Sequence, residues 1–295
     1  MAYLRSKDFD LIIMPDNLAQ VVSSDTSIRL FAERVAKEEV EFYLSSKYDL
    51  SKEFTDTLTF SMSTSYKAKN RVELNGAAWS NATAYSINNI VSKGGLVYYA
   101  IQAGTNQDPA TQTAYWTLIG NQYDLYYVSL PHDEFDYLGN YAKDDQVWWK
   151  DKVYTCKIPS TIYTHEDILQ YNSYADVPIR NVFPDDETNG EDYWGVGVSY
   201  SVAAGTVPTD TTKWTAGDNR SQLILENVLH IALYKALPRI APRNIPQHRK
   251  EMFSLAIEWL KEARKGEGTP NLPLKQPTVG TRIRYGGNTK NINHY

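Results

Sequence analysis

Carboxylates crowd at three places in the chain: Asp133-Glu134-Asp136, Asp144-Asp145 and Asp185-Asp186-Glu187. Two acids facing each other across a cleft can hydrolyse a glycoside, and alternating acids on a loop can hold calcium. None of the three has the Asp-x-Asp-x-Asp-Gly spacing of a calcium loop, and neighbouring acids on a loop are ordinarily just solvated. His230 lies in an amphipathic helical pattern and His248 near a helix start, with no Ser or Cys nucleophile motif beside either. Gly94-Gly95 lacks the Lys-Ser/Thr and helix that follow a phosphate loop. The single cysteine, Cys156, excludes an internal disulfide, and no Cys/His cluster has zinc-ligand spacing. The residues therefore predict no catalytic group, no metal and no cofactor, and a protein that is not an enzyme.

The unusual chemistry is aromatic. The chain has 22 Tyr, 7 Trp and 8 Phe, with Tyr and Trp concentrated between Trp79 and Trp214. Phe135, Tyr141, Val147, Val153 and Tyr154 stand 56 residues after Trp79, Tyr85, Val91, Val97 and Tyr98. Each series is then assigned a Gly, a Pro and a Trp: Gly104, Pro109 and Trp116 for the first, Gly205, Pro208 and Trp214 for the second. Matched spacing of this kind predicts two related small β modules, at about 79–119 and 135–216, the second interrupted by about fifty residues. Two readings of Trp79, Tyr85, Tyr98, Trp116, Tyr154 and Trp214 stay open. Their flat faces can stack on sugar rings, or they fill the core of modules too small to build one from aliphatics. The core reading is favoured, because a repeated pattern specifies a fold before it specifies a ligand.

Helical patterns flank this β-like region. Leu30, Phe31, Val35, Ala36, Val40, Tyr43 and Leu44 recur at three and four after the cap-like Ser24-Asp25-Thr26-Ser27, and a shorter helix starts at Met14-Pro15 with Leu18, Val21 and Val22. A further helix begins near Asp218-Asn219 and stops at Pro238. Another follows Ile245-Pro246 and ends at Gly266. After Gly268 come Pro270, Pro273 and Pro277, then the alternating Thr281-Arg282-Ile283-Arg284-Tyr285, which reads as an extended arm that orders on binding. Net charge is −5, but residues 218–295 carry 13 Lys/Arg against 6 Asp/Glu, so the basic end is C-terminal. Met1 leads into Tyr3, Arg5, Lys7 and Asp8 without an apolar run, and nowhere do eighteen apolar residues follow one another. The expectation is a chain neither exported by a signal peptide nor spanning a membrane.

Phe42-Tyr43-Leu44-Ser45-Ser46-Lys47-Tyr48, then His230-Ile231-Ala232-Leu233-Tyr234, Ala256-Ile257-Glu258-Trp259-Leu260-Lys261 and Gly266, resemble the helices of the tailed-phage head-tail connector (adaptor) family over about 120 residues. The resemblance implies a homo-oligomeric ring of 12 copies beneath the portal protein, located in the virion neck and assembled in the host cytoplasm. It also implies contacts to downstream tail proteins, and a channel through which DNA passes without sequence-specific binding. Arg282, Ile283, Arg284 and Tyr285 would then lie in the arm, Leu274 to Tyr285, that grips the portal or a neighbouring subunit. So elaborate a connector suits a phage with several stacked ring proteins, such as the crAss-like group. The middle region instead resembles small chitin- and cellulose-binding modules: Trp79, Tyr85, Val91, Tyr98, Pro109 and Trp116 follow that pattern, whereas Phe135 replaces its opening Trp in the second copy.

The expected architecture is α+β: a small helical bundle base from residues 1–70 and 218–267, a β-rich insertion over 71–217 with two small modules, and an extended C-terminal arm over 268–295. The alternative to a connector is a carbohydrate-binding, adhesin-like protein, favoured if the purified chain binds polysaccharide as a monomer. A glycosidase accessory or hydrolase follows only from hydrolysis that is lost on changing a specific acid.

Overall fold

Helix-forming and strand-forming stretches are segregated along the chain, in an α+β arrangement. The computed structural model describes residues 3–21, 25–136, 139–159, 182–187, 190–237, 245–267 and 270–275. A 3-10 turn over Ser6–Leu11 precedes helices α1 (Pro15–Val21), α2 (Thr26–Leu44), the single turn α3 (Gly190–Tyr193), α4 (Gln222–Ala236) and α5 (Gln247–Lys265). The strands run from β1 to β15: β1 (Thr57–Thr59), β2 (Tyr66–Lys67), β3 (Arg71–Glu73), β4 (Ala77–Ala78), β5 (Ala84–Tyr85), β6 (Ile90–Lys93), β7 (Leu96–Ala100), β8 (Gly104–Thr105), β9 (Trp116–Asn121), β10 (Leu125–Val128), β11 (Gln146–Trp149), β12 (Lys152–Thr155), β13 (Val198–Ser199), β14 (Ser201–Val202) and β15 (Trp214–Ala216). They fall into two compact units, one from Met1–Asp133, Lys150–Lys152 and Ser199–Lys275, the other chiefly from Glu134–Trp149 and Val153–Val198.

In the first unit α2, α4 and α5 share one core although almost 180 residues separate α2 from α4. Asp25 starts α2 by accepting a hydrogen bond from the Ser27 N–H at 2.8 Å. The helix buries Ala32, Ala36, Val40 and Leu44, spaced at four. Leu30 and Phe31, expected on the buried side, are instead 43% and 49% exposed. They lead the Ala32 row by one and two residues, so about 100° of helical twist per residue carries them outward. Helix α4 is apolar nearly all round, with Ile224, Leu225, Val228, Leu229, Ile231, Ala232 and Leu233 all buried, as a central helix must be. Helix α5 presents Ala256, Leu260 and Ala263 and stops at Gly266, whose φ of 94° is open to glycine at little cost. Leu272 packs on this core, and the chain at Leu274 bridges to Tyr48. Residues 270–275, expected within the arm from 268, therefore pack with the helical base, and residues from 276 on lie outside the described residues.

The β region is a threefold repeat, not a twofold one. Phe60-Tyr66-Val72, Trp79-Tyr85-Val91 and Phe135-Tyr141-Val147 keep the same six-and-six spacing. In each copy the residue after the first aromatic donates its N–H to the Tyr hydroxyl: Ser61 to Tyr66 at 2.7 Å, Ser80 to Tyr85 at 2.8 Å, Asp136 to Tyr141 at 2.7 Å. The residue after each Tyr donates to an Asn or Asp three positions on: Lys67 to Asn70, Ser86 to Asn89, Ala142 to Asp145. The residue between has positive φ each time, at Lys69, Asn88 and Asp144. Each first aromatic also donates its N–H to a carbonyl on the strand beginning the hairpin: Phe60 to Glu73, Trp79 to Ser92, Phe135 to Trp148.

A Trp closes each copy from the far side. Trp116 pairs with Ala100, Trp214 with Val128 and Trp194 with Cys156. Each closing ring meets its Tyr edge-on, at 5.2 Å (Tyr85–Trp116), 5.2 Å (Tyr66–Trp214) and 5.3 Å (Tyr141–Trp194). Such pairs add about 0.5–1.5 kcal/mol beyond burial. A buried Pro precedes each: Pro109, Pro208 and Pro184.

This corrects the assignment of Gly205, Pro208 and Trp214 to the Phe135 copy. Trp194 closes that copy, and Trp214 closes the copy that opens at Phe60. The reason is nesting. The copy from Phe60 is a host whose hairpin between β3 and β10 carries the second copy, and whose return after β10 carries the third, so its closing strand lies about 150 residues downstream. In the first unit the host sheet runs β1-β3-β10-β15 and the second copy's runs β4-β6-β7-β9, with β14-β2 and β5-β8 as the equivalent small pairs. In the second unit the sheet runs β11-β12-β13.

Candidate assembly surface on the helical base

The residues proposed for chemistry divide sharply once placed. Tyr85, Tyr98 and Trp116 fill the core of the second copy, at 9%, 7% and 4% exposure, while Trp79 packs half-buried on it with Lys93 Nζ 4.4 Å from its ring centre. Tyr154 lies in the core of the third copy and Trp214 in that of the host. The six rings are thus distributed over three cores and do not form one platform. Arg282, Ile283, Arg284 and Tyr285 lie outside the described residues. Among the described residues no group of three or more His, Cys, Asp or Glu is placed to hold a metal ion, and no helix is long and apolar enough to cross a membrane.

Sequence reasoning missed a buried charge cluster where the helical base meets the host sheet. Arg220, just before α4, holds both Asp8 oxygens at 2.6 and 3.0 Å, Asp218 at 2.7 Å and the Tyr3 carbonyl at 2.9 Å. Arg5 holds Asp8 from the other side and reaches Glu73 at 3.1 Å. Arg71, on β3 and fully buried, donates to Asn219 at 2.7 Å and to the carbonyls of Thr55 and Glu53. Glu53 accepts from the Tyr3 hydroxyl at 2.6 Å and from the Ser221 N–H at 2.9 Å, placing a carboxylate at the start of α4 where the helix dipole favours it. Burial works against the Asp8 charge, but the guanidiniums of Arg220 and Arg5 outweigh it and hold its carboxyl below the usual range. Burial, with the Arg220 charge, lowers Arg71 to about 10. Hydrogen-bonded in this way, with Asn219 Nδ2 left without a partner, these groups fix one orientation of helices on sheet.

Glu33 on α2 is the exception. One oxygen accepts from the Leu4 N–H at 2.7 Å, while the other has no hydrogen-bond partner and stands 3.5 Å from Arg29. Burial pushes its carboxyl up to about 7. The folded value lies above the unfolded one, 4.5, so the folded state is favoured most below pH 4.5 and loses stability as the pH rises to 7. We expect Glu33→Gln to raise the melting temperature at pH 8, by an amount worth on the order of 3 kcal/mol, and to leave it nearly unchanged at pH 4.5. Equal shifts at both pH values would mean that the carboxyl is ionised throughout.

The outward face of α2 carries exposed aromatic rings instead of buried charges. Phe31, Glu38 and Phe42 stand on one stripe, with Phe42 65% exposed. Arg34 lies 5.6 Å from the Phe31 ring centre and Arg264 5.4 Å from that of Phe42. At the C-terminal end of the stripe an open groove of about 440 Å³ is lined by Glu41, Phe42, Ser45, Leu50, Ser51 and Phe54. Spacing alone marks Phe31 and Phe42 as apolar; only the position of the Ala32 row shows which way they face. The chain matches no protein-family model and no curated protein.

Proposed function

We propose that the protein is a structural virion component, a head-tail connector subunit that works as one copy in a ring below the portal. The observation that carries this reading is the exposed aromatic stripe on α2, set on a helical base whose orientation the buried charge cluster fixes. Exposed apolar surface of this kind marks a protein contact, and a ring subunit needs one on its side. The helical resemblance over residues 42–48, 230–234 and 256–266 falls on α2, α4 and α5, the three helices that share the core. In this reading the helical bundle is the base and the β copies, whose aromatics lie mostly in their own cores, are insertions that shape the periphery. The work is mechanical and needs no catalytic group. The partners are further copies, 12 in a ring, the portal, the next tail component, and DNA threading the channel. The segment beyond Lys275, with Arg282 to Tyr285, supplies the contact to portal or neighbour.

Negative-stain images and sedimentation of the purified chain test this. Rings are expected, and a chain ending at Lys275 should keep its melting temperature within a degree or two while losing association at least tenfold. A wild-type chain that stays monomeric at high concentration and on added portal protein, yet binds polysaccharide, would replace the connector by the carbohydrate-binding reading.

A further inference from the structure

Between residues 30 and 42 the exposed residues of α2 are Leu30, Phe31, Arg34, Glu38 and Phe42. Their spacing keeps them within about a third of the helix circumference, so they form one outward face. The rings are partly backed from within the subunit: Arg34 lies 5.6 Å from the Phe31 ring centre, and Arg264 and Tyr43 lie 5.4 and 5.5 Å from that of Phe42. Phe42 is nonetheless 65% exposed and Phe31 49%. Ion pairs engage Arg29 with Glu33, Lys37 with Asp56 and Glu39 with Lys235, whereas among the described residues Arg34 and Glu38 have no ion-pair partner.

Read along the chain, this face runs apolar, cation, anion, apolar. Read backwards it runs apolar, anion, cation, apolar, which is its own complement. Two copies of α2 crossed antiparallel at the level of Ala36 set Arg34 opposite Glu38 twice, and Leu30 and Phe31 opposite Phe42 twice. The exposed Ser27 and Ser45 fall opposite one another at the two ends, where small side chains let the helices approach. Helices pack with their axes about 8–10 Å apart, within reach of an Arg and a Glu side chain. The groove of about 440 Å³ beside Phe42 gives the incoming Phe31 ring room. A parallel pair at the same level would instead set Arg34 on Arg34 and Glu38 on Glu38.

We propose that the outward face of α2 binds a second copy of this chain, as an antiparallel, two-fold pair of α2 helices. Such a contact uses the same patch on both subunits. One helix face is small for a protein interface, so dissociation is expected on the order of micromolar concentration. The pair does not depend on the connector reading: a two-fold contact closes at two copies, whereas a ring needs head-to-tail contacts. In a ring subunit it would keep the aromatic stripe covered until the ring's own contacts replace it.

Sedimentation of the full-length chain over a range of concentrations tests this, with the charges exchanged to read the pairing. Arg34→Glu and Glu38→Arg should each weaken self-association at least about tenfold, because the two-fold makes every change count twice. The exchanged chain, Arg34→Glu with Glu38→Arg, should recover wild-type association to within about threefold, and so should an equimolar mixture of the two single variants. Both positions are exposed, so folding is spared, and melting curves of each variant check it. Arg34→Gln and Glu38→Gln, which bring no like charges together, should weaken the pair in the same direction by less. A wild-type chain that stays monomeric up to about 1 mM overturns the proposal. An exchanged chain as weak as the single variants overturns it too, since α2 would then face some other surface. Rings that form equally well in every variant would overturn the α2 pair and leave the connector reading standing.

Discussion

Arg220→Met is expected to lower the unfolding free energy by about 3–5 kcal/mol, because it takes their shared counter-charge from the buried Asp8 and the partly buried Asp218, leaving Asp8 with Arg5 alone. The comparison that isolates the mechanism is the double variant Arg220→Met with Asp8→Asn. Neutralising Asp8 removes a buried charge that has lost its stronger partner, so the double variant should recover part of the loss, and urea titration of the four proteins gives the coupling directly. Asp8 adds a pH signature. Its folded pKa lies below the unfolded value of 3.8, so its contribution is present above that value and is lost as the pH falls through the folded one. In Arg220→Met this acid sensitivity should shift toward higher pH. A variant as stable as the wild type would show that the cluster merely breaks even with apolar packing and does not hold helices to sheet.

The parts of the fold that were legible in the sequence are those whose signal is local. Helices α2, α4 and α5 declare themselves through spacing at three and four, and Pro246 and Gly266 bound α5 chemically. The charge cluster has no local signal: Asp8, Arg71 and Arg220 are ordinary surface residue types, and only the tertiary fold removes them from water. The host β copy was hidden for another reason. Its spacing of six and six from Phe60 is as regular as the other two, but the insertions separate Val72 from its strand partner Tyr126, and Val128 from Trp214. In the linear order the last Gly-Pro-Trp lies nearest the copy of Phe135, although Trp214 closes the copy of Phe60. The opening aromatic, Tyr and Val alone mark all three copies.

Nesting makes the three closing tryptophans unequal, although each is nearly completely buried and each Trp→Ala change should cost about 3–5 kcal/mol locally. Trp194 belongs to the second unit, with Phe135, Tyr141 and Phe183 around it. Trp194→Ala should loosen that unit and leave the helices cooperative. Trp214 stands in β15, four residues before Asp218, and Gly217 between them donates to Leu125 of the host sheet at 2.8 Å. Disorder there reaches Asp218, Asn219 and Arg220, and through them the start of α4, so Trp214→Ala should lower the main helical transition by far more than Trp194→Ala does. Hydrogen exchange resolved by segment separates the outcomes: protection lost in 134–158 alone for Trp194→Ala, and in 57–74, 125–128 and 222–236 together for Trp214→Ala. Trp79 supplies the contrast, since its ring is only partly buried, beneath Lys93, and does not close a copy. If Trp79→Ala kept full stability and lost retention on a polysaccharide column, that ring would be a sugar platform. If all four variants lost the same stability in one transition, the three copies would form a single cooperative core and the host-and-guest hierarchy would be wrong.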